Sequence, residues 1–207
     1  MADQYEVLAE TFRHETEAIK GSRFIASLAP VNSEAEVEAF IAGVRAEGPS
    51  ATHHCWAYRL GRPCDRFRFN DDGEPGGSAG RPILQQIEGH GLTDAVCVVS
   101  RYYGGTKLGV GGLIRAYGGC AAKALDLAPT RIAVVTVRID VRFPYDCTGA
   151  VQAFLTAAKL EPVMSEYGAE VQFVFDVPLR DADRFEEELR DRTAARAVIE
   201  RIRPENE

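Results

Sequence analysis

Two glycine-rich segments hold most of the residues whose types and spacing could do chemistry. The first is Arg101-Tyr102-Tyr103-Gly104-Gly105-Thr106-Lys107-Leu108-Gly109-Val110-Gly111-Gly112-Leu113-Ile114-Arg115. Its glycines let a backbone approach a ligand closely, the amides of a helix start take up anions, and Arg101, Lys107 and Arg115 add positive charge. That chemistry suits a phosphate or a carboxylate. It is not a Walker A loop, because Thr106 precedes Lys107 where Gly-Lys-Ser/Thr is needed, and Ile114 stands at the third glycine of G-x-G-x-x-G. No nucleotide cofactor, and no other cofactor, is expected. The plain structural reading of these glycines is a tight strand-to-helix turn.

The second segment is Asn70-Asp71-Asp72-Gly73-Glu74-Pro75-Gly76-Gly77-Ser78-Ala79-Gly80-Arg81. Asp71, Asp72 and Glu74 could hold a hard cation or serve as acid and base, with Arg81 as a further cation beside them. The EF-hand pattern is absent, Asp-Gly and Glu-Pro are equally the marks of an acidic surface turn, and no metal site is assigned. His53 and His54 point to opposite faces of a strand, so at most one joins any single site. Ser78 or Ser100 would complete a Ser/His/Asp set only on paper, since no G-x-S-x-G elbow is present, and no catalytic residue is assigned. Tyr102 and Tyr103 are candidates for stacking on bases, although one of such a strand-end pair normally packs inward.

The elements that must position these residues follow from the hydrophobic pattern. Strands are expected over Tyr5–Leu8, Glu15–Lys20 and Ser22–Ala29, with a turn at Lys20-Gly21. Ser33 and Glu36 form a capping box for a helix carrying Val37, Phe40, Ile41 and Val44, which ends near Gly48-Pro49. A strand with two unlike faces covers His53–Leu60, and Arg81-Pro82 opens a short helix with Ile83, Leu84 and Ile87. Ala95–Ser100 reads as a buried strand, and Leu113, Ile114, Tyr117, Ala121, Ala124 and Leu125 as a helix. Beyond it, Val137, Ile139, Val141 and Phe143 alternate as a strand. A helix from Asp146, strands near Pro162–Tyr167 and Val171–Val177, a helix capped by Asp181, and a strand over Ala197–Arg203 complete a βαββαβ order. This is an α+β chain of two domains, 1–130 and 131–207, the second ferredoxin-like, with the boundary where Pro129 interrupts the preceding helical pattern.

Composition bounds the function classes. The chain has 207 residues, 45% of them hydrophobic, and a net charge of −7 that argues against coating nucleic acid by bulk electrostatics. The charge is uneven, at −5 for residues 1–58, +3 for 59–131 and −5 for 132–207, so the basic excess sits where the motifs cluster. Cys55, Cys64, Cys97, Cys120 and Cys147 contain no C-x-x-C, which points to reduced thiols rather than to disulfides or a zinc site, with Cys97 in the core. No apolar run could span a bilayer, the charged start does not suit a signal peptide, and the expected location is the cytoplasm with no membrane partner.

Five blocks in order carry a resemblance. Lys20-Gly-Ser-Arg-Phe24, Ala51 to Arg59, Asn70-Asp-Asp-Gly-Glu-Pro75, Ala79-Gly-Arg-Pro82 and Arg101-Tyr-Tyr-Gly-Gly105 through Gly109 to Tyr117 resemble the YigZ/Impact family over most of residues 17–128. The trailing domain looks like the C-terminal domain of its bacterial two-domain members. The resemblance implies an N-terminal fold shared with a small-subunit ribosomal protein and with the fourth domain of the translocase elongation factor. It also implies a C-terminal domain similar to that factor's last domain. Translation, with RNA or the ribosome as partner, becomes the expected setting. Eukaryotic members regulate initiation by competing for an activator of a stress kinase, a role that needs an additional interaction domain and is not carried over. Gly76-Gly77-Ser78 stands where many members have Ser-Gly-Thr, and Tyr103 where Phe is frequent; neither removes a charge.

Three readings follow, in order of preference. The first is a translation-associated regulator binding RNA, ribosome or another phosphate-bearing ligand. Its candidate residues are Arg81, Arg101, Tyr102, Gly104, Gly105, Lys107, Gly109, Gly111, Gly112 and Arg115, with Asp71, Asp72 and Glu74 in the acidic loop. The second is a protein-interaction module with a translation-regulatory partner. The third is an enzyme on a small anionic substrate, and the residues favour a non-enzyme.

Overall fold

The computed structural model describes residues 4–61 and 66–202, so Cys64 and Arg203 lie outside the described residues. The chain divides into two compact units, one over Glu6–Ala133 and one over Gln4, Tyr5 and residues 134–202. Both mix helices and sheets in the α+β manner.

The first unit begins with β1 (Gln4–Leu8), β2 (Phe12–Glu15), β3 (Arg23–Pro30), α1 (Glu34–Glu47) and β4 (His53–Leu60). It continues with β5 (Arg66–Asn70), α2 (Gly80–Gly89), β6 (Ala95–Tyr102), α3 (Val110–Leu127) and β7 (Thr130–Val134). Five strands form an antiparallel sheet in the order β2-β3-β6-β4-β5, while β1 pairs with β7. The continuous apolar run at 95–99 makes β6 the central strand because the sheet is covered on both faces. Cys97 and Val99 enter the core under α2 and α3, while Val96 and Val98 enter the core under α1. The α1 capping box forms as the sequence demands. Ser33 Oγ accepts from Glu36 N at 3.2 Å, and the Glu36 carboxylate accepts from Asn32 N at 2.8 Å.

The second unit runs β8 (Thr136–Phe143), a 3₁₀ turn at Tyr145–Cys147, α4 (Thr148–Ala158), β9 (Met164–Tyr167), β10 (Val171–Pro178), a 3₁₀ turn at Leu179–Asp181, α5 (Ala182–Arg192) and β11 (Val198–Ile202). Its antiparallel sheet has the order β11-β8-β10-β9, the split βαβ of a ferredoxin-like domain. Ile139, Val141 and Phe143 pack with Val151, Phe154, Phe175, Phe185 and Leu189 into one core.

Some local expectations give way. The second strand lies earlier, at Phe12–Glu15, because its register is fixed by pairing with β3, and only Ile19 of the stretch to Lys20 makes a bridge, with Ser22. Asp181 precedes α5 without capping it; its carboxylate accepts from Arg184 at 3.1 Å instead. The four described cysteines are free and buried. No helix among the described residues is long and apolar enough to cross a membrane.

Candidate functional site

Each acidic side chain of the 70–80 loop has a separate task. Asp71 Oδ1 accepts from Ala79 N and Gly80 N, both at 2.9 Å, and Oδ2 accepts from Gly77 N at 2.8 Å. Because Ala79 offers α2 no side-chain cap, Asp71 satisfies its first donors from eight residues upstream. Asp72 Oδ2 accepts from His54 N and Oδ1 pairs with Arg45, both at 2.6 Å. Burial raises the Asp72 carboxyl, but Arg45 and the His54 N–H outweigh it and hold the group below the usual carboxylate range. Glu74 turns inward, its Oε1 accepting from Arg101 Nη1 at 2.6 Å and from the Tyr117 hydroxyl at 2.7 Å.

The three carboxylates thus diverge, and no group of three metal-ligating side chains exists among the described residues. The expected acidic surface turn is partly an interior structure. The Arg101 and Glu74 side chains are 6% and 5% exposed, and of the guanidinium's nitrogens Nε is buried without a hydrogen-bond partner. Arg101 lies over the Phe24 ring at 5.7 Å and the Tyr103 ring at 5.3 Å, and donates to Ser22 Oγ at 3.4 Å. Its charge is therefore turned to Glu74 rather than to a ligand. Glu74 and Arg101 come together, while Asp72 and Lys107 do not join them.

His53 is the one histidine at this cluster, its Nε2 3.9 Å from Glu74 Oε1 and its Nδ1 2.7 Å from the Asp72 carbonyl. Cys55 donates to the Asp71 carbonyl at 3.0 Å, and burial pushes its thiol up to about 12, so it is no nucleophile at neutral pH. Burial, Cys55 and Glu74 raise the Tyr117 phenol far above its ordinary value. Tyr117 and Ser22 are not among the residues the sequence singles out for a site, and His53 enters there only as one of two histidines of which at most one could join. Their spacing from Glu74 and Arg101 carries no periodic signal, although Lys20-Gly-Ser-Arg-Phe24 is one of the resembling blocks.

The remaining basic residues mark a different place. Ile19 and Ser22 exchange backbone hydrogen bonds of 2.8 and 3.0 Å, and Lys20 and Gly21, at φ +48° and +82°, make the tight turn between them. Gly104 packs onto this turn so closely that an added Cβ would stand 1.9 Å from the Gly21 carbonyl carbon; Gly104 N donates to Ser22 Oγ at 3.1 Å. Gly105 and Gly109 have positive φ, and Gly112 backs onto Leu108, where an added Cβ would meet the Leu108 Cβ at 3.0 Å. Between the Lys20 turn and the first turns of α3 lies a cleft of about 240 Å³ lined by Ile19, Lys20, Leu108, Gly112, Arg115 and Ala116. Among the described residues, neither a carboxylate in the lining nor an acidic side chain in the first turn of α3 neutralises Lys20, Arg115 and the helix start. Arg115 and Gly112 are thus brought together with Lys20. Lys107 and Gly111 are exposed beside this region, Tyr102 lies under Arg23 at 5.3 Å, and Arg81 is exposed at the start of α2.

His54, on the other face of β4, is buried with Nδ1 2.8 Å from Ser100 Oγ. Burial lowers its pKa, with Arg45 adding to the effect and Asp72 opposing it. The unfolded chain therefore binds this proton more readily. The stability contributed by neutral His54 is present above about pH 6.5 and is lost as pH falls through the lower folded value. Thermal melts across this window should show a Tm that drops with acidification in the wild type and drops less in His54→Gln. Parallel curves would remove His54 as the cause.

Comparison with known proteins agrees with these units. The model of the Impact N-terminal domain matches residues 20–125, and that of a domain of unknown function, DUF1949, matches residues 141–196. The chain is 46% identical to "IMPACT family member in pol 5'region" of Thermus thermophilus, over 77% of this chain and 86% of that one. It is 38% identical to "IMPACT family member YigZ" of Escherichia coli (strain K12), over 84% and 87%. A solved structure titled "Crystal structure of an hypothetical protein" matches 99% of this chain and all of its own with a TM-score of 0.80 at 33% identity. With the first match alone spanning more than half of the residues, and relatives of this identity covered along most of their length, the chain belongs to the Impact family.

Proposed function

We propose that this protein is a translation-associated RNA-binding regulator that takes RNA phosphate in the cleft between the Lys20 turn and the start of α3. The observation that carries the reading is the unopposed charge of that cleft, where Lys20, Arg115 and the first turns of a helix line one concave site without a carboxylate. The acidic total of the chain does not oppose it, because a local anion site needs only a local excess. The resemblance of the first domain to translation-factor folds supplies the setting, and with it the cytoplasm as the place of action. Arg101, expected as an anion clamp, takes no part in this reading; its guanidinium is bonded to Glu74 and Ser22.

Lys20→Glu/Arg115→Glu should weaken binding to RNA and ribosomes at near-physiological salt, and should flatten the plot of log affinity against log salt by about two phosphate contacts. Fluorescence anisotropy with labelled RNA reads both. A wild-type protein without salt-dependent binding sinks the proposal.

A further inference from the structure

Strand β5 forms one edge of the five-stranded sheet, and its sequence Arg66-Phe67-Arg68-Phe69 alternates charge with aromatic rings. Register sets Phe69 beside Ala57 and Phe67 beside Arg59, on the face under α2, and turns Arg66 and Arg68 to the other face. Both rings are unusually open for phenylalanine, at 50% and 38% exposed. Helix α2 packs on β4 and on the Asn70 end of β5, bringing exposed Arg81 to that end of the strand. Among the described residues Arg66, Arg68 and Arg81 have no carboxylate within ion-pair distance; Arg68 reaches the Tyr58 hydroxyl, which donates to Glu34.

A second copy of this chain does not suit that edge. Antiparallel pairing of β5 with itself centred on Phe67 or Arg68, the registers that pair most of the strand, sets Arg66 opposite Arg68 or Arg68 opposite Arg68, and like charges directly opposite repel. Edge arginines alone would be accounted for as a guard against strand pairing, but a guard does not need two uncovered phenylalanines. A polyanion with flat apolar groups at regular intervals answers both features.

We infer that the β5 edge binds single-stranded RNA, with successive bases stacked on Phe67 and Phe69 on one face and the phosphates running along the open edge itself, where Arg81 and, reaching over from the other face, Arg66 and Arg68 meet them. Residues two apart on a strand lie roughly 6.8 Å from each other, a step that an extended single strand follows and the bases of a stacked duplex do not. The inference rests on the reading of the protein as an RNA binder, and gives that binder its preference for unpaired RNA.

The test uses the full chain, with a labelled oligouridine of about a dozen nucleotides and an RNA duplex of similar length as probes. Phe67→Ser/Phe69→Ser should lower oligouridine affinity roughly 100-fold, about tenfold for each lost ring, while leaving the salt slope and duplex binding unchanged. Phe67→Leu/Phe69→Leu, which keeps apolar bulk but no π face, should lose most of the same affinity. Arg66→Glu/Arg68→Glu should flatten the salt slope. Wild-type oligouridine affinity in the serine variant overturns the strip, as does wild-type affinity in the leucine variant, which would make the patch a general apolar contact. A dimer in light scattering that dissociates in the serine variant, with oligouridine affinity unmoved, overturns it in favour of a second copy. If Lys20→Glu/Arg115→Glu binds both probes normally while the β5 variants lose the single strand, the cleft reading fails and the strip stands.

Discussion

Arg101→Met is expected to destabilise the N-terminal unit by about 3–5 kcal/mol, the cost of leaving a buried charge without its partner. Glu74 accepts from Arg101 and Tyr117 on the same oxygen, and neither member of the ion pair is exposed enough for water to replace what is lost. Glu74→Leu should cost a similar amount, since the guanidinium is then left among Phe24, Tyr103 and Ser22 with no counter-charge. The double variant Glu74→Leu/Arg101→Met should recover much of the loss, because removing both charges also removes their desolvation cost. Tyr117→Phe keeps the pair and gives up one hydrogen bond to a charged group, so about 1.5–3 kcal/mol is expected. The single tryptophan, Trp56, lies on β4, and its fluorescence in urea reports this unit. Additive losses in the double variant would mean that the two charges are not coupled.

That pair shows where the sequence is readable and where it is not. The ferredoxin-like domain is legible because Val137, Ile139, Val141 and Phe143 repeat at the strand period within one element and face one core. β6 is legible for a related reason, as a short run apolar enough to be buried on both faces. Glu74 is opaque: Asp-Gly-Glu-Pro is turn chemistry, turns are ordinarily at the surface, and its partners lie 27 and 43 residues along the chain. Arg101 misleads by adjacency, since it shares a segment with Lys107 and Arg115 but ends a central strand whose side chain enters the interior. Strand β7 is short, and its stability comes from pairing with distant β1 rather than from local pattern. The cleft is half legible. The sequence singles out Arg115 and Gly112, whereas Lys20 joins them only once the chain has folded the 19–22 turn against α3.

Gly104→Ala should cost about 3 kcal/mol or more, and it should lower RNA affinity as well. The added methyl would stand 1.9 Å from the Gly21 carbonyl carbon and 2.0 Å from its oxygen, both backbone atoms of a turn pinned by two hydrogen bonds. Neither side can yield without breaking the turn, and the turn is what presents Lys20 to the cleft. Two other glycines separate this close approach from the freedom that glycine gives any backbone. Gly105 has φ +87° with open space around it, so Gly105→Ala meets only conformational strain, roughly 1–2 kcal/mol. Gly119, exposed within α3 and with nothing near its missing Cβ, should tolerate alanine and gain about 0.5–1 kcal/mol from helix propensity. Urea midpoints should therefore rank Gly104→Ala lowest, Gly105→Ala next, then wild type, then Gly119→Ala. If Gly104→Ala and Gly105→Ala melt together, the Gly-Gly pair is in the segment for backbone freedom alone, and the positioning of Lys20 does not depend on it. If instead only Gly104→Ala falls far and loses RNA affinity with it, the same contact that closes the loop onto the turn also builds the anion site.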